Sequence, residues 1–473
     1  MTKTRHLSGR WRPFFLIAAA SSALVSCAVG PDYKRPDLRV PAGYKGATGP
    51  AAPAPVLPTE WWTLFNDPGL SRLAGETLAA NLDIRAAIAR VDQARESTRS
   101  AAGSFFPNLS LNPSVRRSGS AAGAATAYSL PLQLGFELDV WGRLRRQYES
   151  AKDSEMASAD DYVFVMQTAL ADVAQAYFTI RFYDREIGLY QEALGLYRKQ
   201  LDLTQTKFKA GLALQTDLLQ AQTQIYTATN QLIEVQRSRA KEEHALAILL
   251  GRPPAEVSLE AQPLTVAIPS VPAGLPVNLL NRRPDVAEAE RQLAAANALI
   301  GVAKADFFPS FSVTASGGFD SASVRHLTDW ANRVWSVTPG VTAPLFEGGQ
   351  LAAAHAKAKA RYQELLADYR LAVLGAFRDV EDELSDLTLL SDKAVSLEAT
   401  IASAREYSRL TELQYRQGLT TYLQVIDANQ TLLTNELSAA QAHLDRLNAT
   451  VLLIKAVGGG WPGEDVRPAP PGR

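Results

Sequence analysis

Hydrophobic and polar residues alternate with a period of two at matching places in the two halves of the chain. The apolar positions are Leu130, Leu132, Leu134, Phe136 and Leu138 in the first half, and Phe311, Val313, Ala315, Trp335, Val337 and Val341 in the second. Such alternation is typical of β-strands with one apolar and one polar face. It predicts one β-hairpin in each half, with strands at about 105–115, 128–140, 307–316 and 334–346. The small or polar residues at 116–126 and 317–333 are predicted to be the connecting loops.

A pattern with a period of seven follows each predicted hairpin. Apolar or aromatic residues recur without a break at Met166, Val173, Ile180, Ile187, Leu194, Leu201 and Phe208, and matching positions run from Val373 to Tyr415. Sustained heptads indicate coiled-coil packing, so we predict helices at about 147–208 and 352–415, each roughly 90 Å long.

Each long helix is expected to end at a glycine and to be followed by a returning helix. Gly211 and Gly418 supply the left-handed residue that commonly ends a helix. The returning helices are predicted at about 216–250 and 421–457, with Thr216 and Thr420 as candidates for their N-caps. Each half is therefore predicted to join a β-hairpin to an antiparallel helical hairpin.

The two halves are copies of one unit. Phe105 and Pro107 correspond to Phe307 and Pro309 at an offset of 202 (309 − 107), whereas the long helices correspond at 207 (373 − 166). We assign the five extra residues to the second hairpin. A helix is also expected before each hairpin, at 68–102 and 284–305. The expected organisation is a signal peptide at 1–26, an N-terminal linker at 27–58, a first repeat at 59–260, an inter-repeat equatorial segment at 261–280, a second repeat at 281–457 and a tail at 458–473.

The charge balance excludes nucleic acid as a partner, and the N-terminal residues indicate where the protein is sent. The chain has 48 Lys and Arg against 49 Asp and Glu, so it has no excess basic charge for nucleic acid. Basic residues up to Arg12 precede an apolar run at 14–25, which is the layout of a secretory signal peptide. The run ends in LVSC at 24–27, which resembles a bacterial lipobox. We expect Cys27, the sole cysteine, to be acylated; the alternative is an ordinary cysteine without this role. Ala28, and not Asp, follows Cys27, which leaves an outer-membrane destination open.

The predicted strands favour a membrane β-barrel over a soluble β-sandwich. They are about ten residues long, and aromatic residues lie near their ends, as in the interfacial girdles of membrane barrels. These aromatic residues are Phe105, Phe106, Tyr128, Trp335 and Phe346. Four strands are too few to close a barrel, because about eight is the smallest usual number. Several chains would therefore have to share one barrel.

The stretch RRPDVAEAERQLAAANALIGVAKADFFPSFSVTASGG at 282–318 resembles the signature of the outer-membrane efflux family of the TolC, OprM and NodT type. The residues GPDY at 30–33, the closing IKAVGGGW at 454–461 and both glycine turns fit its lipidated branch. The resemblance implies a mixed α/β membrane protein, a homotrimer with a shared twelve-stranded β-barrel in outer-membrane lipid and a periplasmic α-helical tunnel. It also implies a passive exit duct that works with a periplasmic adaptor protein and an inner-membrane pump of the RND type.

The resemblance also assigns roles to individual residues. Leu423 and Asp427, four residues apart, would ring the narrow periplasmic end, and Gln220 stands at the position equivalent to Asp427 in the first half (427 − 207). The residues expected to contact the adaptor are Gly211, Leu212, Arg416, Gly418 and Leu419. The alternatives are that Asp427 is only a solvated residue on a helix face and that the turns only cap helices.

No enzymatic chemistry is indicated by the sequence. The five histidines are scattered, and there is no nucleophile elbow, phosphate-binding loop or metal motif, so no catalytic residue, cofactor or metal is expected. Two other classes of protein stay open. A lipidated periplasmic adaptor would lack membrane strands, and a structural coiled coil would not need the period-two segments. The transported substrate cannot be read from the polar residues expected to face the lumen, such as Gln133, Glu137, Asp139, Ser312 and Thr338.

Overall fold

The computed structural model describes residues 28–46, 57–121, 123–272, 274, 276 and 281–461. The expected signal peptide, Cys27 and the tail beyond Trp461 lie outside the described residues. The chain divides into two compact units. The first contains Met1–Asp37, Arg90–Ser158 and Glu288–Arg370, and the second contains Leu38–Ala89, Ala159–Ala287 and Leu371–Arg473.

Seven helices and five strands account for most of the described residues. They follow one another in the order α1 (Pro68–Ala80), α2 (Leu82–Gly103), β1 (Asn108–Leu111), β2 (Ser114–Ser120), β3 (Gly123–Leu138), α3 (Arg143–Lys209), α4 (Gln215–Leu249), α5 (Pro284–Ala305), β4 (Ser310–Ser321), β5 (Arg333–Thr342), α6 (Gln350–Gln417) and α7 (Tyr422–Ala456). Short 3-10 segments lie at Trp61–Phe65, Pro254–Glu256, Val324–His326 and Trp330–Asn332.

Helix lengths are nearly identical in the two halves. Helices α2 and α5 have 22 residues each, α4 and α7 have 35 each, and α3 and α6 have 67 and 68. The prediction that all five extra residues lie in the second hairpin is wrong. The first hairpin spans 31 residues (138 − 108 + 1) and the second spans 33 (342 − 310 + 1), so the hairpin holds two of them. The other three lie in the connection to α6, which spans 343–349 where the first half has only 139–142.

All five strands form one antiparallel sheet in the first unit. Strand β3 pairs with β1 and β2 along one side and with β4 along the other, and β5 pairs with β4. The register places Leu134 opposite Ala315, and Ala315 opposite Val337. Because residues opposite one another point to the same side of a sheet, the alternating apolar residues of all the strands form one continuous apolar face. In the described part of the chain, the outer sides of β1, β2 and β5 have no partner strand.

Strands β2, β3 and β4 extend further into the predicted loops than the sequence predicts. Strand β2 continues to Ser120 and β3 begins at Gly123, so most of the predicted loop at 116–126 is strand. Strand β4 likewise continues to Ser321. These stretches are rich in small residues, but the ladder is made by main-chain groups, and it can continue wherever a neighbouring strand keeps its register.

Two aromatic residues predicted near strand ends lie outside the strands. Strand β1 begins at Asn108, and Phe105 instead packs against Tyr148 with the ring centroids 5.9 Å apart. Strand β5 ends at Thr342, so Phe346 lies beyond it and is exposed.

The predicted helix at 68–102 is two helices that meet at Asn81. This residue has an extended backbone, and its side-chain oxygen accepts the N–H of Ile84 at 3.0 Å. Its amide nitrogen donates to the carbonyl oxygen of Leu249 at 2.8 Å. Asparagine competes well for such main-chain bonds, which is why it favours caps over helix interiors. The break therefore ties the start of α2 to the end of α4.

The core of the second unit lies along the middle of α3. The heptad residues Val173 and Ile180 are completely buried, and the ring of Phe65 lies 5.1 Å from that of Phe178. Burial of each such side chain contributes about 2 kcal/mol. Towards the end of α3 the heptad pattern reaches the surface, because Phe208 is exposed.

One described helix, α3, contains a window that is long and apolar enough to cross a membrane. Within that window, 61% of the residues are buried inside the protein. A helix at the centre of a protein core passes the same test, and the packing of Val173 and Ile180 accounts for its apolar character.

Candidate gate and helix-hairpin tips

The two long helices, α3 and α6, end in the same kind of turn. Gly211 and Gly418 have φ angles of 73° and 79°, in the left-handed region that side chains with a Cβ avoid. The N–H of Leu212 donates to the carbonyl oxygen of Lys207 at 2.8 Å, and the N–H of Leu419 makes the corresponding bond at 2.9 Å. These bonds define Schellman motifs, so both helices end with the glycine cap that the sequence predicts.

Both turns carry an apolar side chain on the outside. Leu212 is 76% exposed and Leu419 is 73% exposed. Beside the second turn, the guanidinium of Arg416 pairs with Glu412 at 2.5 Å. Each turn therefore exposes a leucine side chain to solvent, and hydrogen bonds fix the backbone that carries it.

The returning helices begin without the threonine caps predicted from the sequence. Thr216 lies inside α4, and the N–H of Leu214 instead donates to the Asp217 carboxylate at 3.1 Å. Helix α7 begins after Thr421, whose side chain makes no capping bond. Within the described residues, the Thr420 hydroxyl is buried without a partner. The prediction is wrong because α4 begins one residue earlier, and α7 one residue later, than the pattern indicates.

A buried aromatic cluster holds the two turns together. The rings of Tyr415 and Tyr422 are 5.5 Å apart, and the Lys207 ammonium lies 4.0 Å from the Tyr415 ring centroid. Lys207 also donates to the carbonyl oxygen of Tyr415, and the Thr204 hydroxyl lies 3.2 Å from the Tyr415 hydroxyl. Burial, followed by the neighbouring acidic groups, raises the pKa of Tyr422, so its phenol stays neutral. The residues predicted at the two turns are thus brought side by side.

Leu423 and Asp427 lie one turn apart on the exposed side of α7. Leu423 is 62% exposed and Asp427 is exposed as well, whereas Val425 and Ala428 are buried on the other side of the helix. The Tyr407 hydroxyl of α6 donates to Asp427 Oδ2 at 3.2 Å. A carboxylate and a leucine thus share one solvent-facing surface of the second helical hairpin.

Tyr407 is a functional candidate that the sequence analysis did not identify. Loss of solvent, and then the hydrogen bond to Asp427, raise the pKa of its phenol. Helices α6 and α7 run antiparallel about Gly418, so residues at similar distances from that turn come together. Tyr407 lies 11 residues before it (418 − 407) and Asp427 lies 9 after it (427 − 418). Counting outwards from the turn could have found this pair.

A buried polar contact lies on the opposite side of the same hairpin. The Ser408 hydroxyl donates to Asn429 Oδ1 at 2.6 Å, and both residues are buried. A buried hydrogen bond of this kind penalises any shift of α6 along α7, because a shift would leave both groups unpaired. The register that brings Tyr407 to Asp427 is therefore well determined.

The first half has no charge at the corresponding position. Gln220 lies exposed on α4, at the place that matches Asp427 on α7. Nearby, the Gln430 amide donates to the Gln224 side-chain oxygen at 3.1 Å and links α7 to α4. The first half therefore presents neutral amides where the second half presents the Asp427 carboxylate.

The described residues contain no group of three or more His, Cys, Asp or Glu that could hold a metal ion. His443 makes a hydrogen bond of 3.0 Å with the carbonyl oxygen of Val266, and burial lowers the pKa of its imidazole. His326 pairs with Asp329 at 2.9 Å on an exposed loop. These contacts hold segments of the chain together.

Long helical hairpins attached to an antiparallel sheet with one apolar face define a channel-type outer-membrane protein. The family model described as outer membrane efflux protein matches residues 73–252 and 275–459. The chain therefore belongs to the outer membrane efflux protein family.

Named relatives and a solved structure agree with this assignment. The antibiotic efflux pump outer membrane protein ArpC of Pseudomonas putida is 32% identical over 459 residues, which cover 94% of this chain and 95% of ArpC. The pyoverdine export outer membrane protein OpmQ of Pseudomonas aeruginosa is 32% identical over 416 residues, which cover 85% and 87%. The outer-membrane channel OprN superposes with a TM-score of 0.86 at 30% identity, covering 92% of this chain and 100% of OprN.

Family membership decides between the classes that the sequence leaves open. The chain is an outer-membrane channel of a tripartite efflux pump, and neither an adaptor nor a purely structural coiled coil. Its family is one of channels and not of enzymes. The resemblance stated from the sequence is thereby confirmed.

Proposed function

We propose that three copies of the chain form one passive exit duct for small molecules, whose narrow periplasmic end is closed by Leu423 and Asp427. The observation that carries this proposal is the exposure of both side chains on one side of α7, with Asp427 tied to Tyr407 of α6 at 3.2 Å. The proposal gives these exposed groups a common role at the axis of the assembly.

The sheet favours a homotrimer. Strands β1 and β2 share one side of β3, so each chain contributes four rows of strand to a barrel, and its two outer sides stay unpaired in the described residues. About eight strands are needed for the smallest usual barrel, and unpaired strand edges in lipid are very costly. Three chains would supply twelve rows and leave no edge, with the apolar face towards lipid.

A ring of three Asp427 carboxylates would control passage electrostatically. Like charges brought together in a narrow opening attract cations and slow anions. Three Leu423 side chains, one helical turn away, would add an apolar constriction. The bond from Tyr407 restrains Asp427, so opening would require α6 and α7 to move together or this bond to break.

A periplasmic adaptor would act at the tips formed by Gly211, Leu212, Arg416, Gly418 and Leu419. Leu212 and Leu419 are exposed leucines on hydrogen-bonded turns, which suits burial against a partner at little entropic cost. Tyr422 packs on Tyr415 beneath the tips and directly precedes Leu423 in α7. A force on the tips could therefore reach the gate through this cluster, with energy from an inner-membrane pump of the RND type.

Acylation of Cys27 would anchor the chain to outer-membrane lipid. The residues that follow Cys27 are held at the end of the sheet: the N–H of Val29 donates to the carbonyl oxygen of Trp141 at 2.9 Å. A Cβ at Gly142 would lie only 2.7 Å from the Ala28 side chain. Ala28, which follows Cys27 in the sequence, thus lies close to the segment that connects β3 to α3.

In this proposal, the transported substrates are small organic molecules. ArpC is named for antibiotics and OpmQ for pyoverdine, so similar channels serve different cargo. The polar face of the sheet carries Gln133, Ser316 and Thr338, which offer neutral hydrogen-bonding groups and no specific pocket. Choice between substrates would then rest with the pump.

The decisive test is conductance of the purified protein in planar bilayers. Asp427→Ala should give a larger, less cation-selective conductance than the wild type, because it removes the carboxylate ring. Gln220→Ala, at the matched position of the first half, should leave both quantities unchanged. Equal conductance in all three proteins would place the gate elsewhere, and absence of any pore would contradict the duct.

A further inference from the structure

The apolar face of the sheet ends in a row of four residues, one on each of β2, β3, β4 and β5, far from the start of α3. The row contains Arg117 on β2, Tyr128 on β3, Phe319 on β4 and Trp335 on β5. Their common face follows from the register, in which Val115 pairs with Tyr128, Leu130 with Phe319, and Gly317 with Trp335. Residues two apart on a strand and residues opposite one another share a face, so all four side chains point to the apolar side.

The row is diagonal, as a membrane barrel requires. From each strand to the next, the row is displaced along the strand by two residues, or about 6.6 Å. Two residues is the smallest displacement that keeps the side chains on the same face. Strands tilted by roughly 45° and about 4.8 Å apart need a stagger of about 5 Å for neighbouring residues to stay at one depth. The row is therefore suited to lie along one boundary of the membrane, with the apolar residues of the sheet below it.

Two arginines stand at this boundary without an acidic partner. Arg117 is in the row. Arg333, which pairs with Phe319 across the sheet, lies on the same face, two residues before Trp335 in the chain. Arg333 stacks on the exposed ring of Trp330 at 4.6 Å and donates to its carbonyl oxygen at 3.1 Å. In the described part of the chain, neither guanidinium makes an ion pair.

The nearby residues Asp329 and Asp320 do not form ion pairs with these arginines. Asp329 is engaged by His326 at 2.9 Å. Asp320 is displaced by one residue from Phe319 and so points to the polar face. The cationic charge at this end of the apolar face is therefore left for an external anion.

The opposite end of the sheet shows the contrast. There Arg143 Nη2 donates to both oxygens of the Glu137 carboxylate, at 2.7 and 2.9 Å, and Arg143 Nε donates to one of them at 3.0 Å. Arg145 pairs with Asp139 at 3.1 Å. These arginines are neutralised within the chain, whereas the described residues supply no ion pair to the arginines beside the aromatic row.

We propose that Arg117 and Arg333 bind the phosphate groups of lipid headgroups in the membrane leaflet that surrounds the hairpin end of the sheet. The proposal goes beyond the channel function and rests only on the placement of this sheet in the outer membrane. A guanidinium presents a planar fork of donors that matches a phosphate, and the aromatic row marks the headgroup level. Stacking on Trp330 orients Arg333 towards that level.

The test measures binding of lipid to the full, detergent-purified protein. The protein is titrated with phosphatidylglycerol and, separately, with phosphatidylcholine, in which the choline cation balances the charge of the phosphate. Arg117→Gln and Arg333→Gln should each weaken phosphatidylglycerol binding roughly fivefold, and the double variant about twenty-five-fold. The wild-type preference should decline as salt is raised, because the contact is ionic.

Arg116→Gln is the matched control. Arg116 is the next residue on β2 and points to the polar face, so its loss changes net charge equally without touching the boundary. Arg117→Lys, which keeps the charge but lacks the planar fork, should weaken binding by less than Arg117→Gln does.

Three results would overturn the proposal. One is an equal loss of binding in Arg116→Gln, which would indicate a response to net charge alone. Another is full competition by millimolar inorganic phosphate, which would indicate a free-anion site instead of a headgroup site. Unchanged binding in the double variant, with its sheet intact by circular dichroism, would also refute it.

Discussion

Tyr407 of α6 donates a hydrogen bond to Asp427 of α7 across the second helical hairpin, with 3.2 Å between the two oxygens. The bond connects the proposed gate carboxylate to the neighbouring long helix. On the far side of the hairpin, the buried bond from Ser408 to Asn429 holds the same register. The carboxylate of the proposed gate is therefore restrained by contacts within its own chain.

Tyr407→Phe is expected to increase conductance in planar bilayers by less than Asp427→Ala does. The substitution keeps the ring and removes only the hydroxyl that restrains the carboxylate. In an Asp427→Asn background, the same substitution should have a smaller effect, because the charged acceptor is already absent. Independent, additive effects of the two substitutions would show that this bond does not restrain the gate.

Gly211→Ala and Gly418→Ala are each expected to lower the free energy of unfolding by about 1–2 kcal/mol, because alanine is strained at a positive φ. Neither site is crowded, so the backbone conformation alone should cause the loss. Gly188→Ala is the control: it lies inside α3 with open space around it and should stabilise by about 0.5–1 kcal/mol. Thermal unfolding followed by circular dichroism measures all three, and equal shifts would contradict this account.

Asp184→Ala is expected to destabilise the second unit by about 3–5 kcal/mol. The Asp184 side chain is 2% exposed and accepts bonds from Arg181 at 3.1 Å, from Arg239 at 2.6 Å and from the N–H of Gln262 at 3.1 Å. Its removal leaves two cations short of a partner in a buried site. Chemical denaturation checks this prediction.

A surface ion pair on the same helices supplies the control for Asp184. Glu234 pairs with Arg237 on the exposed side of α4. Glu234→Ala should not change stability measurably, because solvent screens exposed pairs. A small effect of Asp184→Ala, similar to that of Glu234→Ala, would mean that the buried network is dispensable.

Glu383→Gln is expected to make stability less dependent on pH. Burial, and then the nearby Asp386 and Asp382, raise the pKa of Glu383 from 4.5 to about 7. Between these values the folded protein holds a proton that the unfolded chain has released, so the wild type loses stability as pH rises through this range. The variant should match the wild type near pH 4 and exceed it by about 1 kcal/mol above pH 7, a figure reduced for partial exposure.

Glu398→Gln is the control for this pH effect, because Glu398 lies exposed on the same helix, α6. It should leave the pH dependence of the unfolding midpoint as in the wild type. The prediction fails if Glu383→Gln stabilises equally at both ends of the pH range, because that would indicate a packing effect and not titration.

Much of the architecture could be predicted because its periodicities are local. The period of seven from Met166 to Phe208 requires a long helix, and the glycines at 211 and 418 end the two long helices through their own backbone freedom. Helix starts were less predictable. Thr216 and Thr420 suit an N-cap equally well on sequence, and only packing determined that α4 and α7 begin elsewhere.

The sequence by itself determined the repeat, the β-hairpins, the paired helices and the family, because each is written in spacing between residues along one chain. Only the tertiary structure decided that Tyr407 meets Asp427, that Lys207 lies on the ring of Tyr415, and which arginines at the end of the sheet make no ion pair with any described residue. These contacts depend on the register between elements far apart in sequence. A shift of one residue or one helical turn would replace every partner while leaving the local patterns unchanged.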